Sequence, residues 1–277
     1  MIIVNNQGSG AIAFAPLEHA SWHGITPTDL VFPTFLFVVG NAMSFALKKL
    51  NEMKPSDFYV KVFKRAALIF LIGWLLNYFP FYDYNEAGEM VAVKLSEVRL
   101  LGVLQRIALA YLLAALVVFW TGERGAWIVG ISSLVIYWPI MYFFGDAGDP
   151  YSLTGNAQIK LDLLLIGEKR MYMGEGIPFD PEGILSTITS MVNVLAGFIV
   201  GKFIQKKGNT PSTVQVLGIA GIVLLALAYL WDLGFPINKK IWTSPYVFLT
   251  VGWDLLLLAG LIFLVEIQKL TRWTYFF

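Results

Sequence analysis

The sequence contains no cysteine among its 277 residues, which excludes disulfides, thiolate metal sites and a cysteine nucleophile. Charged residues are also scarce, at 14%, whereas soluble domains usually carry about 25%. The formal net charge is only +1, so the chain lacks the basic surplus of a nucleic-acid-binding protein. We therefore expect no nucleic-acid partner.

Apolar residues are abundant, at 57% of the chain, and the mean hydropathy is +0.67. Twenty-one Phe, twelve Tyr and nine Trp suit the aromatic belts at the two interfaces of a membrane. An apolar excess of this size needs a solvent other than water. The composition therefore indicates an integral membrane protein whose main partner is the lipid bilayer.

Seven stretches are long and apolar enough to cross a hydrocarbon core about 30 Å thick, which needs ~20 residues of helix. They are residues 30–48, 62–79, 100–120, 126–144, 184–204, 214–233 and 246–267. These stretches predict an all-α, polytopic transmembrane helical bundle of seven complete spans, with a partial helix before them. We expect a single domain over residues 1–277, with further chain beyond both ends.

Lysine and arginine are concentrated on one side of this predicted topology, in residues 48–65, 202–207 and 269–272. By the positive-inside rule that side is cytoplasmic. The opposite side carries both histidines and the long loop 145–183. The acidic residues of that loop are Asp146, Asp149, Asp162, Glu168, Glu175, Asp180 and Glu182. Because the loops are mostly short, we expect a bacterial cytoplasmic membrane, with the histidines on its non-cytoplasmic face.

The two histidines, His19 and His23, are four residues apart and would share one face of a helix. The pattern HEXXH is absent, and zinc sites normally need three or four protein ligands, so we predict no metal site. A general base is the more economical function for a histidine here. A histidine that only hydrogen-bonds to lipid headgroups is the alternative.

Asp29 stands at the start of the next apolar stretch, in TPTDLVFP. A carboxylate there can cap the helix and meet the positive end of its dipole. The other interpretation is that Asp29 orients an imidazole. Spacing alone does not decide between them.

Arg99 and Arg106 are seven residues apart on one helix face, with Arg106 ~10 Å deeper. An arginine inside the hydrocarbon costs at least ~2.5 kcal/mol, so Arg106 predicts a functional site. Gln105 adds a second polar group at that depth. We expect an anionic companion for Arg106, either a ligand or Glu97.

Other polar and small residues have more ordinary interpretations. Lys64 and Arg65 can snorkel to the interface or bind phosphate. Gly197 and Gly201 form a small-xxx-small pair, which predicts close contact with another helix. P-loop, GxGxxG and GxSxG motifs are absent from the sequence, so ATP hydrolysis and a serine-hydrolase elbow are unsupported.

Four blocks of sequence resemble the heparan-α-glucosaminide N-acetyltransferase family and its bacterial relatives. In chain order they are PLEHASWHGITPTDLVFPTFLFVVGNAMS, RLLGVLQRIALAYLLAAL, FDPEGILSTITSMVNVLAGFIVGK and FPINKKIWTSPYVFLT. The resemblance implies an acetyl-CoA-dependent N-acetyltransferase. It would move an acetyl group from cytosolic acetyl-CoA to the amine of a glucosamine-type sugar on the outer face.

The resemblance also implies roles for individual residues. The family's catalytic histidine falls on His19, and its asparagine near the outer end of the first span falls on Asn5. His23 receives no catalytic role. We expect His19 to deprotonate the acceptor, Asn5 to bind the oxyanion and Asp29 to orient His19.

Two further groups of residues are predicted to hold the substrates. The residues expected to bind the donor acetyl-CoA are Lys64, Arg65, Gln105 and Arg106. The residues expected to bind the acceptor are Glu18, Trp22, Arg99, Asp180, Glu182, Asn238 and Lys239.

Three alternatives stay open at this point. A transporter or permease for sugars or cell-wall fragments accounts for the spans and the buried arginine equally well. A noncatalytic membrane scaffold leaves the cost of Arg106 unexplained. Within the enzyme hypothesis, transfer is either direct or through an acetyl-histidine. A homodimer is one expected form.

Overall fold

The computed structural model describes residues 14–50, 54–85 and 87–276, and this part of the chain is mostly helical. Its α-helices are α1 (Val31–Leu50), α2 (Pro55–Tyr78), α3 (Val103–Phe144), α4 (Ala157–Leu165), α5 (Ile184–Lys207), α6 (Pro211–Asp232) and α7 (Ser244–Leu261). Strands β1 (Tyr82–Tyr84) and β2 (Met90–Ala92) form a small antiparallel hairpin between α2 and α3. Short 3₁₀ turns at Ala15–Leu17 and Pro27–Leu30 lead into α1.

Five helices of the described residues are long and apolar enough to cross a membrane. They are Pro27–Ala46, Val103–Phe144, Ile184–Lys207, Pro211–Asp232 and Ser244–Ile267. The predicted helical membrane protein is supported, but its seven complete spans are not confirmed. The predicted span 62–79 lies in α2 except for its last residue, and Lys64 and Arg65 interrupt its apolar run.

Two of the predicted spans, 100–120 and 126–144, correspond to the two helical halves of α3, which meet at a kink. Gly122, with φ 65° and ψ −160°, breaks the helix between them, a backbone conformation that glycine adopts without strain. Arg106 lies 4.9 Å from the ring of Trp242, and the Tyr137 hydroxyl donates to the Ile241 carbonyl at 2.7 Å. A straight helix would separate Arg106 from Tyr137 by about 46 Å. The two halves therefore run in opposite directions.

Helices α1 and α5 approach each other at glycines. A Cβ added at Gly197 would lie 1.9 Å from the carbonyl oxygen of Phe37, and one at Gly40 would lie 1.8 Å from that of Val194. Gly201 likewise faces α1, where a Cβ would lie 2.3 Å from the hydroxyl of Ser44. The predicted close contact at Gly197 and Gly201 is confirmed, and its partner is α1.

The bundle has two distinct ends. At the Gly122 end, Glu123 pairs with Lys206 at 2.6 Å, and Gln205 donates to Ser44 at 2.7 Å. At the opposite end, here called the His19 end, residues 14–30 meet the loops 145–183 and 233–243. Trp22, for example, donates through its indole nitrogen to the carbonyl of Tyr151 at 2.9 Å. This meeting of three loops forms the site described next.

Candidate active site

The carboxylate of Asp29 serves two sets of partners at once. Its Oδ2 accepts hydrogen bonds from the backbone of Ala20 at 3.1 Å and from the backbone and hydroxyl of Thr26 at 3.0 and 3.1 Å. Its Oδ1 lies 2.7 Å from His19 Nδ1 and 3.1 Å from Lys239 Nζ. Both interpretations of Asp29 therefore apply: one oxygen caps the helix start and the other contacts the imidazole.

The proton on the His19 ring has two arrangements. Nδ1 lies 2.7 Å from Asp29 Oδ1 and also 2.9 Å from Lys239 Nζ. When Nδ1 carries the proton it donates to Asp29, and Nε2 then has a free lone pair that can accept a proton. When Nε2 carries the proton, Nδ1 accepts a hydrogen bond from Lys239 instead. Because 52% of the His19 side chain is exposed, while Asp29 is 1% exposed, the imidazole is accessible and its carboxylate partner is not.

Lys239 completes a three-residue cluster with His19 and Asp29. Its side chain is 18% exposed. Burial lowers the pKa of Lys239 below its usual value, and the charge and hydrogen bond of Asp29 offset this only in part. The sequence predicted Lys239 as an acceptor-binding residue. Its contact with His19 was missed, because the two are 220 positions apart.

Asn238 fixes the turn that carries Lys239. Its backbone nitrogen donates to Thr243 Oγ1 at 3.0 Å, and its side-chain oxygen accepts from the backbone of Ile241 at 3.1 Å. Its side-chain nitrogen lies 3.4 Å from Nδ1 of His23. Asn238 is fully buried, so its contacts suit a structural role in the loop more directly than a contact with an acceptor.

His23 lies apart from the His19–Asp29 pair. Its ring packs edge-to-face near Trp22, at 6.1 Å between ring centroids. Burial lowers the pKa of His23, and the charges of Asp149 and Asp232 oppose that shift. In the described part of the chain, no group of three His, Asp or Glu side chains is placed to hold a metal ion.

A second ion pair forms the neighbouring wall of the site. Lys240 Nζ lies 2.6 Å from Glu175 and donates to the Ser21 carbonyl at 2.7 Å. Trp22, an expected acceptor contact, lies beside this pair, with Lys240 Nζ 5.9 Å from its ring. The sequence did not predict this pair, although Lys240 follows Lys239 and Glu175 is one of the loop acids.

Arg99, Asp180 and Glu182 bind one another. Arg99 forms a two-pronged contact with Asp180 at 2.7 and 3.1 Å and a third contact with Glu182 at 2.6 Å. Burial opposes the charge of Arg99, but the two carboxylates outweigh it and raise its pKa. These three expected acceptor-binding residues therefore tie the loop 145–183 to the start of α3.

Arg106 is buried, at 1% exposed. Its Nη2 donates to the Gly183 carbonyl at 3.1 Å and to the hydroxyl of Ser186. Its Nε and Nη1 have no hydrogen-bond partner among the described residues. The prediction that Glu97 is the companion of Arg106 is wrong, because Glu97 lies before α3 and pairs with Lys94 at 3.7 Å.

The other expected donor-binding residues lie along α2 and α3. Gln105 is buried beside Gly73, where a Cβ would lie 2.5 Å from its oxygen. Lys64 and Arg65 are exposed on α2, and the Arg65 guanidinium lies 4.9 Å from the ring of Tyr111 on α3. These four residues therefore do not form one cluster.

Two remaining expectations concern the segment before α1. Asn5 lies outside the described residues. The side chain of Glu18 is exposed, and its carbonyl accepts from the Thr26 hydroxyl at 2.6 Å, which helps to hold the His19 segment in place.

Asp162 on α4 is a buried carboxyl that the sequence grouped only with the other loop acids. Its Oδ1 accepts from the backbone nitrogen of Ile184 at 3.0 Å, at the start of α5. Burial raises the pKa of Asp162 to about 7, and this hydrogen bond offsets part of the shift. Hydropathy along the chain could not reveal this burial, because α4 is short and follows a polar loop.

The chain is similar to two curated proteins, both named heparan-alpha-glucosaminide N-acetyltransferase. It is 26% identical to the Mus musculus protein over 333 aligned positions and 26% identical to the Homo sapiens protein over 332. The alignments cover 100% of this chain, but 49% and 48% of the two relatives. The chain thus spans about half the length of the curated relatives it matches. No family model matches the chain. The similarity supports a distant relationship to an N-acetyltransferase.

Proposed function

We propose that the protein is a transmembrane acetyltransferase that moves an acetyl group from cytosolic acetyl-CoA to the amine of a glucosamine-type sugar on the non-cytoplasmic face. The observation that carries this proposal is the His19–Asp29 contact at 2.7 Å, with an accessible imidazole and a buried carboxylate. The distant similarity to N-acetyltransferases supports the reaction class.

The proposed chemistry begins with a proton transfer. With its Nδ1 proton donated to Asp29, His19 accepts a proton from the sugar ammonium at Nε2. The freed amine attacks the thioester carbonyl and the carbon–sulfur bond breaks. The imidazolium gives its proton to the leaving thiolate, and the second proton that the amine loses goes to water. Asp29 stabilises the imidazolium formed between these steps, as a carboxylate does in a catalytic triad.

The other predicted residues have supporting roles in this proposal. Asn5 would donate to the developing oxyanion, a contribution that can reach about 10²–10³ in rate. Arg106 would face the donor with two guanidinium nitrogens, Nε and Nη1, that have no hydrogen-bond partner among the described residues. Lys64 and Arg65 would hold the nucleotide. An acetyl-histidine at His19 is the alternative to direct transfer.

The acidic loop supports an amino-sugar acceptor. Glu18 is exposed near His19, and Asp149 of the loop 145–183 is exposed at the same end of the bundle, where its charge acts on His23. A negative surface attracts a cationic substrate and raises its local concentration. The lysine and arginine residues of the predicted cytoplasmic side support the proposed orientation of the protein in the membrane.

Proteoliposomes with labelled acetyl-CoA on one side and glucosamine on the other test the function. We expect labelled N-acetylglucosamine on the side opposite the donor. His19→Ala should abolish it, while His23→Ala, four residues away, serves as the matched control and should retain most activity. Wild-type turnover in His19→Ala would remove His19 from the mechanism. Movement of unmodified sugar without acetyl-CoA would instead identify a transporter.

A further inference from the structure

Lys239 holds a primary ammonium against Nδ1 of His19, on the other side of the ring from Nε2, the nitrogen that takes the acceptor's proton in the proposed reaction. Its Nζ lies 2.9 Å from His19 Nδ1 and 3.1 Å from Asp29 Oδ1. The acceptor of the proposed reaction is also a primary amine, and it too must reach His19 to lose a proton. The chain therefore presents its own amine to the same base.

The environment of Lys239 favours reaction over a fixed structural role. The side chain is partly exposed, at 18%, so the amine is not sealed away from the site. Burial lowers the pKa of Lys239, which increases the fraction of the neutral, nucleophilic amine. His19 and Asp29 lie within hydrogen-bond distance to accept its proton.

The neighbouring Lys240 provides a contrast within the same turn. Its Nζ lies 2.6 Å from Glu175 and 2.7 Å from the Ser21 carbonyl. These contacts direct Lys240 to the wall of the site and away from the His19–Asp29 pair. Two adjacent lysines therefore share solvent and sequence context but differ in access to a base.

We propose that Lys239 is an acetylation site of the protein itself: when no acceptor is bound, its amine takes the acetyl group from acetyl-CoA. This inference rests on the proposed function, since it uses the same base and donor. The Lys239 nitrogen forms a bond to the acetyl carbon, and the carbon–sulfur bond of the thioester breaks. Of the two protons that the ammonium loses, one goes through His19 to the thiolate and one goes to water.

Acetylation of Lys239 has consequences for the site. The amide is neutral, so Asp29 loses its nearest cation, and the acetyl group fills space beside His19. An amide is also stable to hydrolysis, so the product is a dead end rather than an intermediate. Preincubation with acetyl-CoA alone therefore inactivates the protein, and glucosamine protects it by competing for the same acetyl group.

The test uses the full chain in nanodiscs, incubated with ¹³C-labelled acetyl-CoA and then digested for mass spectrometry. We expect label on Lys239 and little on Lys240, which fragment ions of one peptide distinguish. Glucosamine should lower the label in the unmodified protein, a readout that needs no variant. His19→Gln should lower it by about 10²-fold or more. Lys239→Arg keeps the positive charge and should remove the label.

The outcomes separate this inference from the proposed function. Acetylated glucosamine with no label on Lys239 overturns the inference and leaves the function intact. Label on Lys239 without acetylated glucosamine supports the inference and overturns the proposed acceptor. Equal label on Lys239 and Lys240 indicates unassisted chemistry and overturns the inference. Absence of both products overturns both proposals.

Discussion

Nδ1 of His19 and Oδ1 of Asp29 lie 2.7 Å apart, and the second oxygen of the same carboxylate caps the turn that begins at Pro27. The position of the imidazole is therefore coupled to the start of the first long helix. A rigid element, rather than a flexible loop, fixes the acidic partner of the proposed base. A substitution at Asp29 can therefore remove the contact that orients the imidazole while it keeps the hydrogen bonds that cap the turn.

Asp29→Asn should lower the transfer rate on the order of 10⁴-fold, with a small loss of stability. If the asparagine oxygen keeps the Thr26 and Ala20 bonds, its NH₂ faces His19 Nδ1 and moves the ring proton to Nε2. The base is then lost although the cap remains. The measurement is kcat for acetyl transfer together with Tm.

Asp57→Asn is the matched control for this substitution. Asp57 holds the same third position after the N-cap in α2, far along the sequence from His19. It should leave kcat unchanged and shift Tm slightly. Comparable rate losses in the two variants would contradict an orienting role for Asp29.

Arg99→Met should destabilise the protein by about 3–5 kcal/mol, because it leaves the fully buried Asp180 without its cation. Adding Asp180→Asn should recover part of that loss, which a double-mutant cycle of unfolding measures. Lys94→Met is the control, since the Lys94–Glu97 pair is exposed and should contribute within about 0.5 kcal/mol. Additive losses in the cycle would show that Arg99 and Asp180 act independently.

Gly197→Ala should disrupt the contact between α1 and α5, because its Cβ would overlap the Phe37 carbonyl at 1.9 Å. Gly218→Ala in α6 meets no atom within 4 Å and should stabilise its helix by about 0.5–1 kcal/mol. Thermal unfolding in one detergent compares the two. Equal Tm values for the Gly197→Ala and Gly218→Ala proteins would mean that α1 and α5 separate readily to admit the added methyl group.

Asp162 should make stability fall as the pH rises through about 7. Its pKa rises from 3.8 in the unfolded chain to about 7 in the folded protein, so between these values the folded state binds more protons. Ionisation then costs stability, because burial disfavours the carboxylate. Asp162→Asn should remove this part of the dependence.

The measurement for Asp162 is Tm at several pH values from 5 to 8, in both the natural protein and the variant. The difference between the two curves isolates this group from the others, including His23, whose lowered pKa acts in the opposite direction. A Tm difference between the two proteins that stays constant from pH 5 to 8 would contradict a raised pKa at Asp162.

The sequence predicted the helical membrane architecture well, because long apolar runs report directly on solvation by lipid. It also predicted the contact at Gly197, since small residues permit close backbone approach. It also predicted the two halves of α3 as separate spans, although it did not identify Gly122 as the residue at which the chain turns between them. In α2, Lys64 and Arg65 make the apolar run ambiguous, so hydropathy alone gives no firm span.

The sequence predicted which residues belong to the candidate site better than it predicted the contacts among them. His19 and Asp29 lie close in sequence, and their pairing was one of two interpretations of Asp29 between which spacing alone did not decide. Lys239 joins them through tertiary packing, and no local pattern reports a contact across 220 positions. Of the two companions predicted for Arg106, Glu97 was wrong, because the Gly183 carbonyl before α5 and the Ser186 hydroxyl within it accept from Arg106 instead, and a ligand stays a prediction.

That separation of 220 positions also sets the order in which the site is built. During synthesis, the His19 segment and α1 emerge long before the loop that carries Lys239, and a chain is made from its N-terminus onward. A nascent protein can thus pack α1 against α5 while His19 and Asp29 still lack their lysine. The cluster becomes complete only when the loop before α7 docks, so the site cannot form before Lys239 has been synthesised and packed.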